Sequence, residues 1–415
     1  MKKITVILCT IFVLVPLYAR AGFILGVGVH QNSDKNIQIV KGIGLKSVRN
    51  DFNWQGVEKE KGILTLPPSV DTYLQTTSEA SIAPLMILDY GNKFYDGGGK
   101  PVTPEGIGAF ANFAKFSGTE LAGKVKYFEI WNEWDHSKYP TSAESYFELV
   151  KAAAPSIKSN NKNAVVLAGA ATFDAMRNGW VEKLVQLGVL NYANGISIHP
   201  YVHCEPDNRP EAWIYSLSQF SSKLKKANGG KEVPLYITEM GWPSNNGACG
   251  SSPEKVAQYL ARALLWVRTL PEVKGLWWYD LKNDGTNIAD REQNFGLLDY
   301  DYAPKPAFKA LRDIAPLILN GRVFTRLQAP SGLLMMSIID ANGSKSFALW
   351  SAHGNAAEVT CSIASEEKTS FSVLKVGADK ALYPHSKKNI QLTVDGTPLV
   401  FTGGIRDLRI VKTVW

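Results

Sequence analysis

Cysteine is scarce, with 4 residues in a chain of 415. Cys9 lies inside an N-terminal apolar run with no small residues ahead of it, which argues against a lipoprotein processing site. Beyond that run, no segment is long and apolar enough to span a bilayer. Basic residues outnumber acidic ones by only 7 and form no stripe with a known binding module, so no nucleic-acid partner is expected. There is no fixed-period repeat and no low-complexity tract. Metal-ligand spacing is also missing: His199 and His203 stand four apart, but on a strand-to-loop segment rather than a helix. No metal and no cofactor are expected.

The composition is that of an ordinary globular protein, 45% hydrophobic and 20% charged, long enough for two domains. The N-terminus carries Lys2 and Lys3, the apolar run "ITVILCTIFVLVPLYA" and the small-residue site Ala19-Arg20-Ala21. This pattern predicts a secretory signal peptide over residues 1–21, with the mature chain starting at Gly22. A membrane anchor is the alternative, and the shortness of the run argues against it. Removing Lys2, Lys3 and Arg20 takes the formal charge from +7 to +4, which permits an acidic polymer as substrate without predicting one. The expected location is periplasmic or extracellular, where Cys204, Cys249 and Cys361 meet conditions that allow disulfides.

From Gly22 onward strand and helix patterns alternate. The strand-like runs are "GFILGVGV", "SVRNDFNW", "APLMILDY", "KYFEIWNE", "VVLAGAAT", "GISIHPY", "PLYITEMGW" and "GLWWYDL". Most are short, apolar and bounded by turn residues, as strands covered on both faces should be. Two of the helices between them open with a capping residue, a proline and an acid: Thr103-Pro104-Glu105 and Ser252-Pro253-Glu254. Eight strand–helix units predict an α/β fold, a (β/α)8 TIM barrel over residues 22–319. An open doubly wound sheet would want a Gly-rich phosphate turn after its first strand, and "GVGVHQNSD" is a poor one. Residues 320–415 change texture to short alternating runs separated by "ANG", "GNA" and "DGTP", which predicts a C-terminal all-β sandwich domain. Its expected role is structural, with carbohydrate binding as the alternative.

In a barrel, functional residues gather where strands end. Here those ends carry Arg49, Asp51 and Trp54; Asp89 and Tyr90; Asn132 and Glu133; His199 and Tyr201; Glu239 and Trp242; and Trp278, Asp280 and the following Asp284. Cys204 and Cys249 leave from the neighbouring sixth and seventh strands, so a disulfide between them is expected and Cys361 should stay free. Glu133 and Glu239 would face each other across the mouth. Glycoside hydrolysis needs such a pair, one carboxyl to protonate the leaving oxygen and one to attack the anomeric carbon or activate water. Tryptophan and tyrosine suit sugars, because ring faces stack on C–H surfaces while polar edges meet hydroxyls.

"FEIWNE" and "YITEMGW" resemble the acid/base and nucleophile motifs of the clan of retaining glycoside hydrolases with (β/α)8 barrels. "DFNWQGVEKEKGIL", "ISIHPY" and "NFGLLDYDYAPKPAFKAL" resemble other signatures of that clan. The arrangement is most similar to glycoside hydrolase family 39, which includes β-xylosidases and exopolysaccharide endoglycosidases, and the resemblance covers roughly residues 23–318. It implies Glu133 as acid/base, Glu239 as nucleophile, and Asn132 as a ligand of the sugar 2-hydroxyl. It further implies Arg49 and Tyr201 as groups that keep the nucleophile ionised, His199 in the same floor, and Trp278 as the platform under the reacting sugar. Glu129, four residues before Glu133, should lie deeper as a buried partner, with Arg49 the candidate. One departure is Trp134, where relatives often carry proline, and it leaves the leaving-group subsite open.

The alternatives at single residues are structural. His199 fits a core histidine as well as a substrate contact, and Trp54, Trp131, Trp134 and Trp242 fit core or platform, with Trp242 expected among the substrate-binding residues. The expectation is an exported retaining β-glycosidase acting within chains of a bacterial polysaccharide. An exo-acting β-xylosidase-like enzyme is the runner-up, followed by a non-catalytic barrel that binds or escorts a polysaccharide.

Overall fold

The computed structural model describes residues 22–30, 33–136, 139, 141–366, 370–378 and 380–415. The expected signal peptide, residues 1–21, lies outside the described residues. All eight expected barrel strands form: β1 (Ile24–Gly28), β2 (Ser47–Asn53), β3 (Ala83–Asp89), β4 (Tyr127–Ile130), β5 (Val165–Thr172), β6 (Gly195–His199), β7 (Leu235–Met240) and β8 (Val273–Trp278). Each pairs in parallel with the next and β8 closes on β1. Helices cover the outside. The two sequence-signalled starts behave as expected: Thr103 accepts a hydrogen bond from Gly106 N, and Ser252 accepts one from Lys255 N.

The barrel interior is packed with side chains. Leu85, Ile87, Leu167, Tyr236 and Trp277 form a cluster inside it, and Trp277 Nε1 donates to Ser47 Oγ at 2.9 Å. Room for that indole comes from Gly26, where a Cβ would overlap Trp277 Cδ1 and Nε1. Because side chains alternate along a strand, Trp277 inside forces Trp278 outside. The same alternation carries Arg49, Asp51 and Glu129 toward the interior, whereas on β7 a register irregularity between Ile237 and Met240 interrupts the alternation and Glu239 also lines the cleft.

A helix at Pro306–Asn320 leads into the C-terminal region, β9 (Gly321–Leu327), β10 (Leu333–Asp340), β11 (Lys345–Ser351), β12 (Ala357–Ser365), β13 (Phe371–Lys375), β14 (Lys380–Tyr383), β15 (Asn389–Val394), β16 (Leu399–Thr402) and β17 (Ile405–Val414). These make a six-stranded sheet, β14-β13-β16-β11-β10-β9, and a three-stranded sheet, β15-β12-β17. Phe347, Leu349, Val359, Cys361 and Phe401 fill the space between the sheets. The other face of the larger sheet joins the barrel's own apolar core through Met336, Ile338, Trp350 and Val400. At that junction Glu211 pairs with the buried Arg262 and accepts from Trp350 Nε1 at 3.0 Å, so the two regions are tied by polar contacts as well as apolar ones. Among the described residues, no helix is long and apolar enough to cross a membrane.

Cys204 and Cys249 form a disulfide with Cα atoms 4.7 Å apart, joining the loops after β6 and β7. Cys361 is free and buried, and burial pushes its thiol up to about 12. Thiol labelling of the oxidised chain prepared without residues 1–21 should therefore mark nothing in the folded state and one cysteine after unfolding. Replacing Cys204 and Cys249 by serine should lower the unfolding free energy by roughly 2–5 kcal/mol, since the bridge closes a long loop. Labelling of either loop cysteine in the oxidised folded protein would contradict the pairing.

Candidate active site

The C-terminal ends of the strands open onto a cleft of about 390 Å³. Its lining includes His30 after β1, Arg49 and Asp51 on β2, Tyr90 after β3, Asn132 and Glu133 after β4, Tyr201 after β6, Glu239 on β7 and Tyr279 after β8. Arg291, Glu292 and Phe295 close one side.

Arg49 organises the floor. It is buried, and its Nε donates to Glu129 Oε2 at 2.8 Å. Its Nη1 donates to Glu239 Oε1 at 2.5 Å and its Nη2 to Asn132 Oδ1 at 3.0 Å. The second oxygen of Glu239, Oε2, accepts from the Tyr201 hydroxyl at 2.9 Å. His199 is fully buried, with Nδ1 2.9 Å from Glu133 Oε1 and 3.6 Å from Glu239 Oε2. The backbone at Glu133 has φ 48°, a left-handed conformation that a residue with a Cβ adopts at a cost. The side chain of Glu133 is 27% exposed and that of Glu239 13%, so Glu133 is the more open to solvent and to a departing group.

These contacts set the charge states. Burial alone would raise the Glu239 carboxyl. The His199 and Arg49 charges and the hydrogen bonds from Tyr201 and Arg49 outweigh it and hold the carboxyl below its ordinary value. Burial lowers His199, but Glu239 and the bond to Glu133 more than offset it, and the net shift is upward. Asp89 and Asp280 are buried and are pushed well above the carboxylate range, chiefly by burial. The site thus sets an ionised, cation-bound carboxylate beside a more open carboxyl. One oxygen of each and a His199 nitrogen all lie within 4.8 Å of one another.

Arg49, Asn132, Glu133, His199, Tyr201 and Glu239 come together as one constellation, and Glu129 lies beneath it as the expected partner of Arg49. Trp242 and Trp278 do not join it. Trp242 is fully buried, and its Nε1 donates to the Asn208 carbonyl at 3.0 Å. Trp278 is 1% exposed and packs against Trp242 with ring centroids 5.9 Å apart. Neither indole face is open to a sugar, so both are corrected from substrate contacts to core. The open ring at this end of β8 is Tyr279, one residue further on. The signal was present in "LWWYD": once Trp277 is taken as the interior residue, period two puts Tyr279, not Trp278, on the cleft side. Trp134 also withdraws from the leaving-group side. It is fully buried, and its Nε1 donates to Ser145 Oγ at 3.0 Å. Tyr90 and His30 are further lining residues that the motifs did not assign.

No protein-family model matches the chain. A Hordeum vulgare protein proposed to be glucan endo-1,3-beta-glucosidase GVI is 32% identical over 89 residues, a match that spans 20% of this chain and 28% of the barley protein. A family 39 glycoside hydrolase from Bacteroides cellulosilyticus WH2 superposes with TM-score 0.74 at 22% identity, covering 91% of this chain and 80% of that one. A glucosidase from Croceicoccus marinus gives TM-score 0.65 at 10% identity over 91% and 95% of the two chains. The catalytic domain of GH30 xylanase C from Talaromyces cellulolyticus gives 0.62 at 13% identity over 94% and 98%. Coverage above 90% of this chain takes in the β region as well as the barrel. The barrel with its appended β domain is therefore a fold shared with glycoside hydrolases of families 39 and 30.

The electrostatics give a direct test. Replacing Tyr201 with phenylalanine removes a hydrogen bond to the ionised form of Glu239, so its pKa should rise. A bond to a charged group contributes about 1.5–3 kcal/mol, which corresponds to roughly one to two pH units. Carboxyl 13C titration of Glu239 should show that upward shift. An unchanged midpoint would mean that the tyrosine does not hold the carboxylate.

Proposed function

We propose that the chain is a retaining β-glycosidase that uses Glu239 as nucleophile and Glu133 as acid/base. The observation that carries this reading is the approach of the two glutamates within 4.8 Å across one cleft. Retaining chemistry places its carboxyls about 5–5.5 Å apart, whereas inversion needs about 6.5–9.5 Å to admit a water. The names of the structurally similar proteins point the same way. The lowered Glu239 carboxyl suits a group that must be ionised to attack, and the more open Glu133 suits a group that must meet the leaving oxygen and then a water.

In this mechanism Glu239 attacks the anomeric carbon while Glu133 gives its proton to the glycosidic oxygen. The first sugar leaves and a glycosyl ester forms on Glu239. Glu133, now a carboxylate, takes a proton from water, which attacks the same carbon and releases a product of retained configuration. Arg49 and Tyr201 orient Glu239, and Asn132, held by Arg49, is placed for the 2-hydroxyl of the sugar. Tyr279 offers the ring face expected from Trp278. At the finer level, the reading is endo action on an exported bacterial polysaccharide, with Arg291, Glu292, His136 and His203 also lining the cleft. Release of oligosaccharides from a panel of defined polysaccharides supports this level, and release of monosaccharides alone replaces it with an exo-acting, β-xylosidase-like enzyme.

The two glutamates separate by chemistry. Glu239→Ala should nearly abolish turnover of every substrate. Glu133→Ala should lose about 10²–10⁴-fold on sugar leaving groups and much less in the glycosylation step with a nitrophenol. Azide should rescue Glu133→Ala with a β-glycosyl azide and Glu239→Ala with the α product. Opposite azide products would reverse the two roles, and full activity in both variants would end the glycosidase reading.

A further inference from the structure

Across the barrel from β4, the ends of β1 and β8 bring His30, Asp280 and Asp284 together. His30 Nδ1 lies 2.9 Å from both carboxylate oxygens of Asp284 and 3.8 Å from Asp280 Oδ2. One donor atom from each of the three residues lies within 4.8 Å of the other two. A cation with bonds of about 2.0–2.2 Å in a tetrahedral site spaces its ligand atoms roughly 3.3 Å apart, so small side-chain rotations bring this set into register.

A second observation points to a ligand. Asp280 is 3% exposed, and its Oδ1 has no hydrogen-bond partner among the described residues. Leaving one oxygen of a buried carboxyl without a hydrogen bond is costly. The two lysines close by are engaged elsewhere. Lys282 Nζ donates to the Tyr300 carbonyl at 3.2 Å and lies over the Tyr300 ring. Lys305 Nζ donates to Asn283 Oδ1 at 2.6 Å and Ser244 Oγ at 3.0 Å. Asp280, Asp284 and His30 line one small cavity, and His30 also lines the main cleft.

We propose that His30 Nδ1, Asp280 and Asp284 form a binding site for one divalent first-row metal ion in the wall of the cleft. One imidazole and two carboxylates suit Zn2+ or Mn2+. The ion takes the place of the Nδ1 proton and of the proton that burial keeps on Asp280, both of which pass to solvent, so that both aspartates bind as carboxylates. Three protein ligands leave coordination positions open, and hydroxyls of a sugar in the cleft are ligands of the right chemistry for them. The site stands apart from Glu133 and Glu239, so it does not depend on the glycosidase reading. Residue spacing alone does not display it, because His30 lies some 250 positions before the two aspartates, which are themselves only four apart.

The test is calorimetric titration of the purified, chelator-treated full chain with ZnCl2 and, separately, MnCl2. Visible absorption of bound Co2+ gives a second readout. The expected result is one ion per chain with micromolar affinity. His30→Gln and Asp284→Asn should each weaken binding about tenfold or more, with the melting temperature in metal-free buffer unchanged because both side chains are partly exposed. Glu133, His199 and Glu239 form a second compact set of donor atoms, so Glu239→Gln is the control and should leave the stoichiometry unchanged. Absence of saturable binding would overturn the site. So would an ion lost in Glu239→Gln and kept in Asp284→Asn.

Discussion

The buried guanidinium of Arg49 is the constraint on which the cleft depends. It lies between two carboxylates at different depths, Glu129 below and Glu239 above, and it also holds Asn132. Burial by itself would lower the Arg49 pKa, but the neighbouring Glu129 and Glu239 charges win and raise it, so the group stays cationic throughout. Breaking a buried pair of this kind by removing one partner costs about 3–5 kcal/mol. Glu129 therefore shapes the floor without lining the cleft. It satisfies one side of Arg49, so that the other side can face Glu239 as a fixed, oriented charge.

The barrel supplies this arrangement at low cost in mobile parts. Arg49, Glu129 and Glu239 sit on strands whose pairing fixes them, and Asn132, Glu133 and Tyr201 follow within a few residues of strand ends. Functional groups on rigid elements hold their geometry better than groups on long loops. The loops that do reach the cleft are tied: Cys204 and Cys249 join two of them, and Arg291 Nη1 stands 3.8 Å from Cys204 Sγ. The C-terminal sheets pack on the barrel's flank through Glu211, Arg262 and Trp350. That seam combines a charged pair with apolar side chains continuous with the barrel core, which fits a structural role for the β region.

Much of this was legible in the chain. Eight apolar runs with turn residues between them were enough for the barrel, and capping patterns at Thr103 and Ser252 marked helix starts that the structure reproduces. Arg49, Asn132, Glu133, His199, Tyr201 and Glu239 could be found because each sits at or near a strand end, where a short local motif suffices. The tryptophans were not legible in the same way. Trp54, Trp131, Trp134, Trp242 and Trp278 are all buried, and aromatic content alone does not distinguish a core indole from a sugar platform. Which face of β8 turns inward depends on Trp277 filling the space above Gly26, a contact between strands that are adjacent only because the barrel closes. His30 with Asp280 and Asp284 was invisible for the same reason.

The central claim is that Glu239 becomes covalently bonded to the sugar while Glu133 moves protons. The most direct measurement is to trap that intermediate. A panel of 2-deoxy-2-fluoro-β-glycosyl fluorides of different sugar configuration slows both steps but departs readily in the first. Intact-mass and peptide mass spectrometry of the treated protein should show one glycosyl adduct per chain, carried by the peptide containing Glu239, with no adduct in Glu239→Ala. An adduct on Glu133 instead, or a donor that is turned over to the inverted sugar without any adduct, would contradict the account.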